Sequence, residues 1–207
     1  MKKLLPILCI IAVICLSCKQ IMLKQYGVAQ PKIENYASLN RYLLSNGIEG
    51  IKIYAMKDTA SLMAQYAQKI SMPEAYFYNK DGYFVPYKET EKACNAGVSP
   101  FLDSVGSFNK LPFEATKNIS DLLPDIAELN PDNTVSAVKA LPKSDVYVVM
   151  NWAKYLGKVN KDKTWDWIDH IKRNGAKSPQ KITIVLLSFD YQETWGITKK
   201  DIPKFSF

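Results

Sequence analysis

Hydrophobic positions along this chain alternate between a period near 3.6 and a period of two, and the alternation lays out its elements. Ile33, Tyr36, Leu39, Tyr42 and Leu43 recur at spacings of three and four after Pro31, which predicts an amphipathic helix stopped by Asn46-Gly47. Ile51 to Met56 reads as a short strand, and Lys57-Asp58-Thr59 as a turn that caps a helix over Ala60 to Lys69. Glu74 to Tyr78 and Tyr83 to Val85 flank Asn79-Lys80-Asp81-Gly82, the pattern of a β-hairpin. Helical spacing resumes around Glu89 to Phe108, interrupted by Gly97 and Pro100. Residues 109–143 carry Pro112, Pro124, Pro131 and Pro142 and read as a wrapped connector with a short helix near Ile119 to Leu129. Val146 to Met150 is nearly all apolar, as in a strand covered on both faces. Asn160 to Arg173 is helical, with Trp165, Ile168 and Ile171 on one face, and Ile182 to Phe189 is a second buried strand before a tail from Asp190 to Phe207. Such alternation predicts an α/β sandwich, a central mixed sheet flanked by helices.

The first eighteen residues follow another plan. Lys2 and Lys3 precede an apolar run from Leu4 to Leu16, and Ser17-Cys18 closes it before Lys19-Gln20. A charged head, an apolar stretch too short to span a bilayer and a small residue at the cut are the parts of a secretory signal. With a cysteine directly after the small residue, the segment resembles a bacterial lipoprotein signal, whose thiol takes lipid before cleavage. Cys15 and Leu16 depart from the usual residues of that box, and an ordinary signal peptide cut nearby is the alternative. The resemblance implies a signal peptide over 1–17, lipidation of Cys18, a tether over 18–30 and one domain over 31–207. It also implies a cell-envelope location with the lipid as membrane anchor. Lys19, where inner-membrane retention is associated with Asp, points to the outer membrane.

Removing residues 1–17 from 207 leaves 190, ample for one core without disulfides or metal. Lys2 and Lys3 leave with the signal, so the net charge falls from +7 to +5. The remaining lysines are scattered, with no basic stripe interleaved with aromatics, so no nucleic-acid partner is expected. Of the four cysteines, Cys9 and Cys15 lie in the signal and Cys18 is the lipid acceptor, which leaves Cys94 without an internal partner. Cys94 reads either as a small buried hydrophobe or as a reactive thiol able to form a mixed disulfide with another envelope protein. His170 is the only histidine; Asp166 stands four positions before it, but a solvated helix face explains the pair better than a metal site. No metal and no cofactor is expected. Tyr76, Phe77, Tyr78, Tyr83, Phe84 and Tyr87 crowd the hairpin, as core or as a stacking platform for a ligand. No phosphate loop or serine-nucleophile elbow is present.

Two stretches resemble thioredoxin-fold proteins, in reversed order. Val146 to Val159 reads Val-Tyr-Val-Val-Met-Asn-Trp-Ala-Lys-Tyr-Leu-Gly-Lys-Val. It is similar to the family's apolar strand followed by Trp-Ala-x-Trp-Cys-x-x-Cys and a helix. Trp152-Ala153 matches, Tyr155 takes the aromatic place, and Leu156-Gly157-Lys158-Val159 fills the Cys-Gly-Pro-Cys box. Earlier, residues 72–85, Met-Pro-Glu-Ala-Tyr-Phe-Tyr-Asn-Lys-Asp-Gly-Tyr-Phe-Val, resemble the cis-proline loop and hairpin. The resemblance implies a circularly permuted thioredoxin-like domain: the family's C-terminal half over 31–108, the connector over 109–143 and its N-terminal half over 144–207. Packing depends on spatial neighbours, so such a chain folds if its ends lie in exposed loops. The residues alone also admit another α/β sandwich.

Thiol–disulfide exchange needs an attacking thiolate and a resolving thiol. Leu156 and Val159 supply neither, and Met150 stands near where some members carry a buried acid, so redox turnover at this box is excluded by chemistry. The resemblance leaves Met72, Pro73, Tyr155, Leu156, Gly157, Lys158 and Val159 as a candidate patch for an extended peptide or an envelope protein, unless Met72-Pro73 serves the fold alone. The expected function is a non-enzymatic binding or accessory lipoprotein; the alternative is a thiol-dependent oxidoreductase or redox partner acting through Cys94.

Overall fold

The computed structural model describes residues 23–68, 71–90, 93–175 and 179–204. The signal, Cys18 and its lipidation lie outside the described residues. Among those described, no helix is long and apolar enough to cross a membrane.

The strands are β1 (Ile33–Glu34), β2 (Ile53–Met56), β3 (Glu74–Asn79), β4 (Tyr83–Val85), β5 (Glu114–Asn118), β6 (Ile126–Leu129), β7 (Val135–Ala137), β8 (Val146–Trp152), β9 (Ile182–Ser188) and β10 (Tyr191–Gln192). The helices are α1 (Tyr36–Ser45), α2 (Thr59–Ala67), α3 (Val98–Leu102), α4 (Lys158–Asn160) and α5 (Asp166–Gly175), the last two joined by one π turn, Lys161–Trp165. Polar side chains start the first two helices: Asn35 accepts from the Ser38 amide at 3.0 Å and Asp58 from the Ser61 amide at 2.7 Å.

The main sheet is mixed, ordered β5-β4-β3-β8-β9-β2-β6-β7. β8, β9 and β2 run parallel at its centre, with the β3–β4 hairpin antiparallel on one side and β6–β7 on the other. β8 is buried at every residue, as its continuous apolar run predicts. Period-two alternation sorts its side chains. Val148, Met150 and Trp152 join Ala75 and Phe77 on the face covered by α1, α3 and α5. Tyr147 and Val149 join Val185, Leu187 and Phe189 on the other face, covered by Leu62 of α2, by Ile119 and Leu122, and by Trp195 and Ile202 of the tail.

Three expectations need correction. The connector is not a wrapped loop with a helix near Ile119 to Leu129. It contributes β5, β6 and β7, because its backbone pairs with the open edges at β4 and β2, and only two short 3-10 turns, Ile119–Asp121 and Leu123–Asp125, remain between β5 and β6. The helical spacing from Glu89 to Phe108, read as interrupted by Gly97 and Pro100, yields within residues 93–108 only a five-residue α3 that contains Pro100, between 3-10 turns. The described part of the tether does not hang free. Residues 26–29 lie on the domain, where Ala29 donates to the Tyr155 carbonyl at 2.9 Å and Lys158 donates to the Tyr26 carbonyl at 2.7 Å.

Candidate functional site

At the end of β8 the chain makes one 3-10 turn, Lys154–Leu156, and reverses at Gly157 into α4. Gly157 has φ +57°, and a Cβ there would lie 2.5 Å from the carbonyl oxygens of both Tyr26 and Gly27, so only glycine fits under the crossing segment. Tyr42 donates its hydroxyl to the Gly157 carbonyl at 3.0 Å, and Asn160 donates its amide to the Ala153 carbonyl at 2.7 Å. Tyr42 also stacks on Trp152 at 5.9 Å. This corner is packed and hydrogen-bonded on several sides.

Of the predicted patch, Met72, Tyr155 and Leu156 do come together in the core of the second sheet face, and Met72-Pro73 is a cis peptide. Tyr155 and Pro73 are buried, Met72, Leu156, Gly157 and Val159 are half-buried and Lys158 is exposed. The patch is therefore not an open apolar surface: Gly157 lies beneath the backbone of Tyr26 and Gly27, and Tyr155 spends its hydroxyl on that of Tyr66 at 3.0 Å. Both Tyr66 and Tyr155 are pushed up from the usual phenol range, chiefly by burial.

Asp190, one per cent exposed, closes the same corner from the link between β9 and β10. It accepts from the Lys154 amide at 2.8 Å and from the Ser188 hydroxyl at 3.0 Å. Burial pushes its carboxyl up to about 7; the two donors and the Lys154 ammonium oppose the shift, and Glu34 adds to it. Lys154 pairs with Glu34 at 2.8 Å.

The sequence reading missed a cluster beside the cis peptide. Glu74 is 3% exposed and pairs with Lys88, while Tyr87 donates its hydroxyl to the same carboxylate. Burial first, then Glu74, holds the Tyr87 phenol far above its ordinary range. The Asn151 side chain clamps this loop, accepting from the Glu74 amide at 2.5 Å and donating to the Ser71 carbonyl at 3.2 Å, while Asn95 donates to the Pro73 carbonyl at 2.7 Å.

The open feature is a groove of about 730 Å³ on the second sheet face. A helix is about 10 Å across and strands lie roughly 4.8 Å apart, so a single helix shields about two strands. α2 and the 3-10 turns leave the strip over β3 and β4 uncovered, floored by Tyr76, Tyr78 and Phe84. Alternation along β3 splits the hairpin aromatics: Phe77 points into the first core with Tyr87 and Phe101, whereas Tyr76 and Tyr78 pack beside Phe84 in the groove. The rim carries Glu89, Glu114, Asp121 and Asp125 with Lys88 and Lys117.

Of two further candidates, one departs from expectation. Cys94 is exposed at the start of a three-residue 3-10 turn, which corrects its reading as a buried hydrophobe. His170 pairs with Asp103 of the α3 end at 2.8 Å and not with Asp166, which is exposed. Asp103 is held below the usual carboxylate range by His170 and Asn174. Among the described residues no cluster of metal-ligating side chains occurs.

Compared with protein-family models, curated proteins and solved structures, the chain matches none.

Proposed function

We propose that this chain is a non-enzymatic lipoprotein of the cell envelope, anchored through Cys18, in which a redox-inactive, rearranged thioredoxin-like domain serves as a binding module. The aromatic-floored groove of about 730 Å³ carries this reading, being concave, partly apolar and edged by a few polar groups. It replaces the Met72–Val159 patch as the recognition surface. The thioredoxin-like part is supported by the Trp152-Ala153 turn between a buried strand and a helix, the cis Met72-Pro73 bond and the antiparallel hairpin beside β8. Fold alone assigns no activity; inactivity follows from Leu156 and Val159, which have no sulfur to exchange. An outer-membrane location rests on Lys19.

A photo-crosslinking residue at exposed, groove-lining Thr90 is expected to give a discrete adduct in cells, and one at Lys199 on the tail none. Equal patterns at both positions, or catalysis of insulin reduction by purified protein, overturn the proposal. Detergent-phase partitioning that persists after Cys18→Ser removes the lipid anchor from it.

The exposure of Cys94 favours a second reading, a redox partner acting through that thiol. Cys94→Ser abolishes any mixed-disulfide adduct on this reading; adducts that persist, or no adduct in the parent protein, dismiss it.

A further inference from the structure

The groove already holds two cations of its own. Lys117 lies 5.3 Å from the Phe84 ring centre and pairs with Glu114 at 3.0 Å; Lys88 lies 5.1 Å from the Tyr87 ring centre and pairs with Glu74. Each is an ammonium set over an aromatic face and held by a carboxylate, an arrangement favoured by the ring quadrupole together with direct charge pairing. Tyr76 and Tyr78 offer further aromatic faces on the floor, and burial first, with Asp121 adding to it, raises the Tyr78 phenol. The lining carries five carboxylates, Glu74, Glu89, Glu114, Asp121 and Asp125, against Lys88 and Lys117. Asp125 also meets Lys57 at 3.3 Å, which leaves Glu89 and Asp121 as carboxylates without an ion pair among the described residues. An acidic groove on a chain of net charge +7 is a local reversal of sign. Screening over about 8 Å at physiological salt lets such a groove act independently of the surrounding basic surface.

We infer that the groove binds an extended basic peptide segment, seating a lysine or arginine side chain over Tyr76 and Tyr78 between Glu89 and Asp121. This rests on the groove being the recognition surface. Charge complementarity chooses this occupant: acidic or neutral polymers would leave Glu89 and Asp121 desolvated without a counter-charge. The guanidinium is the better head group, because it stacks flat on phenol rings while its edge reaches carboxylates.

The test is titration of the purified protein with a blocked peptide alternating arginine and glycine, followed by amide chemical shifts. The same peptide carrying neutral citrulline, spermidine and a chitin oligosaccharide are the comparison ligands. Arginine peptide is expected to shift groove amides, with affinity at least about tenfold above the citrulline peptide. The exposed double substitution Glu89→Gln with Asp121→Asn is expected to cost about tenfold and to flatten the salt dependence. Equal binding of arginine and citrulline peptides, or binding indifferent to the double substitution, overturns the inference. Spermidine binding as tightly as the peptide overturns its peptide part. Groove shifts with the oligosaccharide alone overturn the ligand class while leaving the groove as a binding site; no groove shift with any ligand removes both.

Discussion

Lys158 donates its backbone N–H to the carbonyl oxygen of Tyr26 at 2.7 Å, at the first turn of the helix that follows β8. The leading segment thus satisfies a helix-terminal donor that would otherwise need solvent or a ligand. Gly157 permits it, because no side chain fits beneath the carbonyls of Tyr26 and Gly27. Gly157→Ala is expected to lift this segment and to strain a backbone at φ +57°, at a cost of about 1–3 kcal/mol. Amide exchange is the measurement: Ala29 and Lys158 lose protection in the variant while β8 retains it. Unchanged protection at both residues would refute the contact.

Asp190 makes stability depend on pH in an unusual direction. Its carboxyl titrates at about 7 when folded against an ordinary 3.8. Below about pH 4 both states are protonated and the shift has no effect. Between about 4 and 7 the unfolded chain ionises first, so stability falls as pH rises, by a few kcal/mol in all. Asp190→Asn keeps an oxygen for the Lys154 amide and the Ser188 hydroxyl but removes the titration. Denaturant midpoints are expected to converge for parent and variant near pH 4 and to favour the variant above pH 7. A parent that gains on the variant as pH rises contradicts this assignment.

The ion pair beside the cis peptide is a third case. Glu74 and Lys88 are both largely withdrawn from solvent, so removing one partner leaves the other charge desolvated. Lys88→Met is expected to lose about 3 kcal/mol or more, and Glu74→Gln in the same chain to recover much of it. Chemical denaturation of the four proteins of that cycle gives the coupling. Simple additivity would mean that the pair is solvated.

The central strands were legible because burial on both faces leaves a one-letter signature: Val146 to Met150 is an apolar run without alternation, and Ile182 to Phe189 is broken only by Thr183 and Ser188. The Asp58 cap and the Asp81-Gly82 turn act locally, over two to four residues, and such signals survive in sequence; Ile33, read as part of the first helix, instead pairs in β1 and leaves Asn35 as the cap. β5 to β7 do not, since edge strands are specified by the partner edge they meet; Glu114 to Asn118 has no apolar side chain larger than alanine. The groove is illegible for a related reason: its floor comes from β3 and β4, its walls from α2 and residues 114–125, and only the assembled sheet makes them neighbours. Asp190 was visible as the end of an apolar strand, but its perturbation comes chiefly from burial in the assembled core, to which Glu34, 156 positions earlier in the chain, only adds.

Cys94 provides a direct test of exposure. A thiol on the surface reacts with an alkylating reagent in native buffer, and its replacement leaves the core intact. Cys94→Ala is expected to alter stability by no more than about 0.5 kcal/mol and to abolish native-state labelling at that position. Labelling that requires denaturant would instead place the sulfur inside.

The two faces of β3 make the sharpest contrast, because neighbouring aromatic residues are assigned opposite roles. Phe77 is fully buried among Tyr87, Phe101 and Phe108, whereas Tyr76 is half-buried in the groove. Phe77→Ala should cost about 3–5 kcal/mol through lost burial and the cavity left behind. Tyr76→Ala should cost far less stability yet weaken ligand binding in the groove, since it removes a stacking face without opening the core. Thermal denaturation and peptide titration of both variants separate the two effects. If Tyr76→Ala destabilises as much as Phe77→Ala, the β3 register is shifted by one residue, because a one-residue slip exchanges the faces of every side chain on the strand.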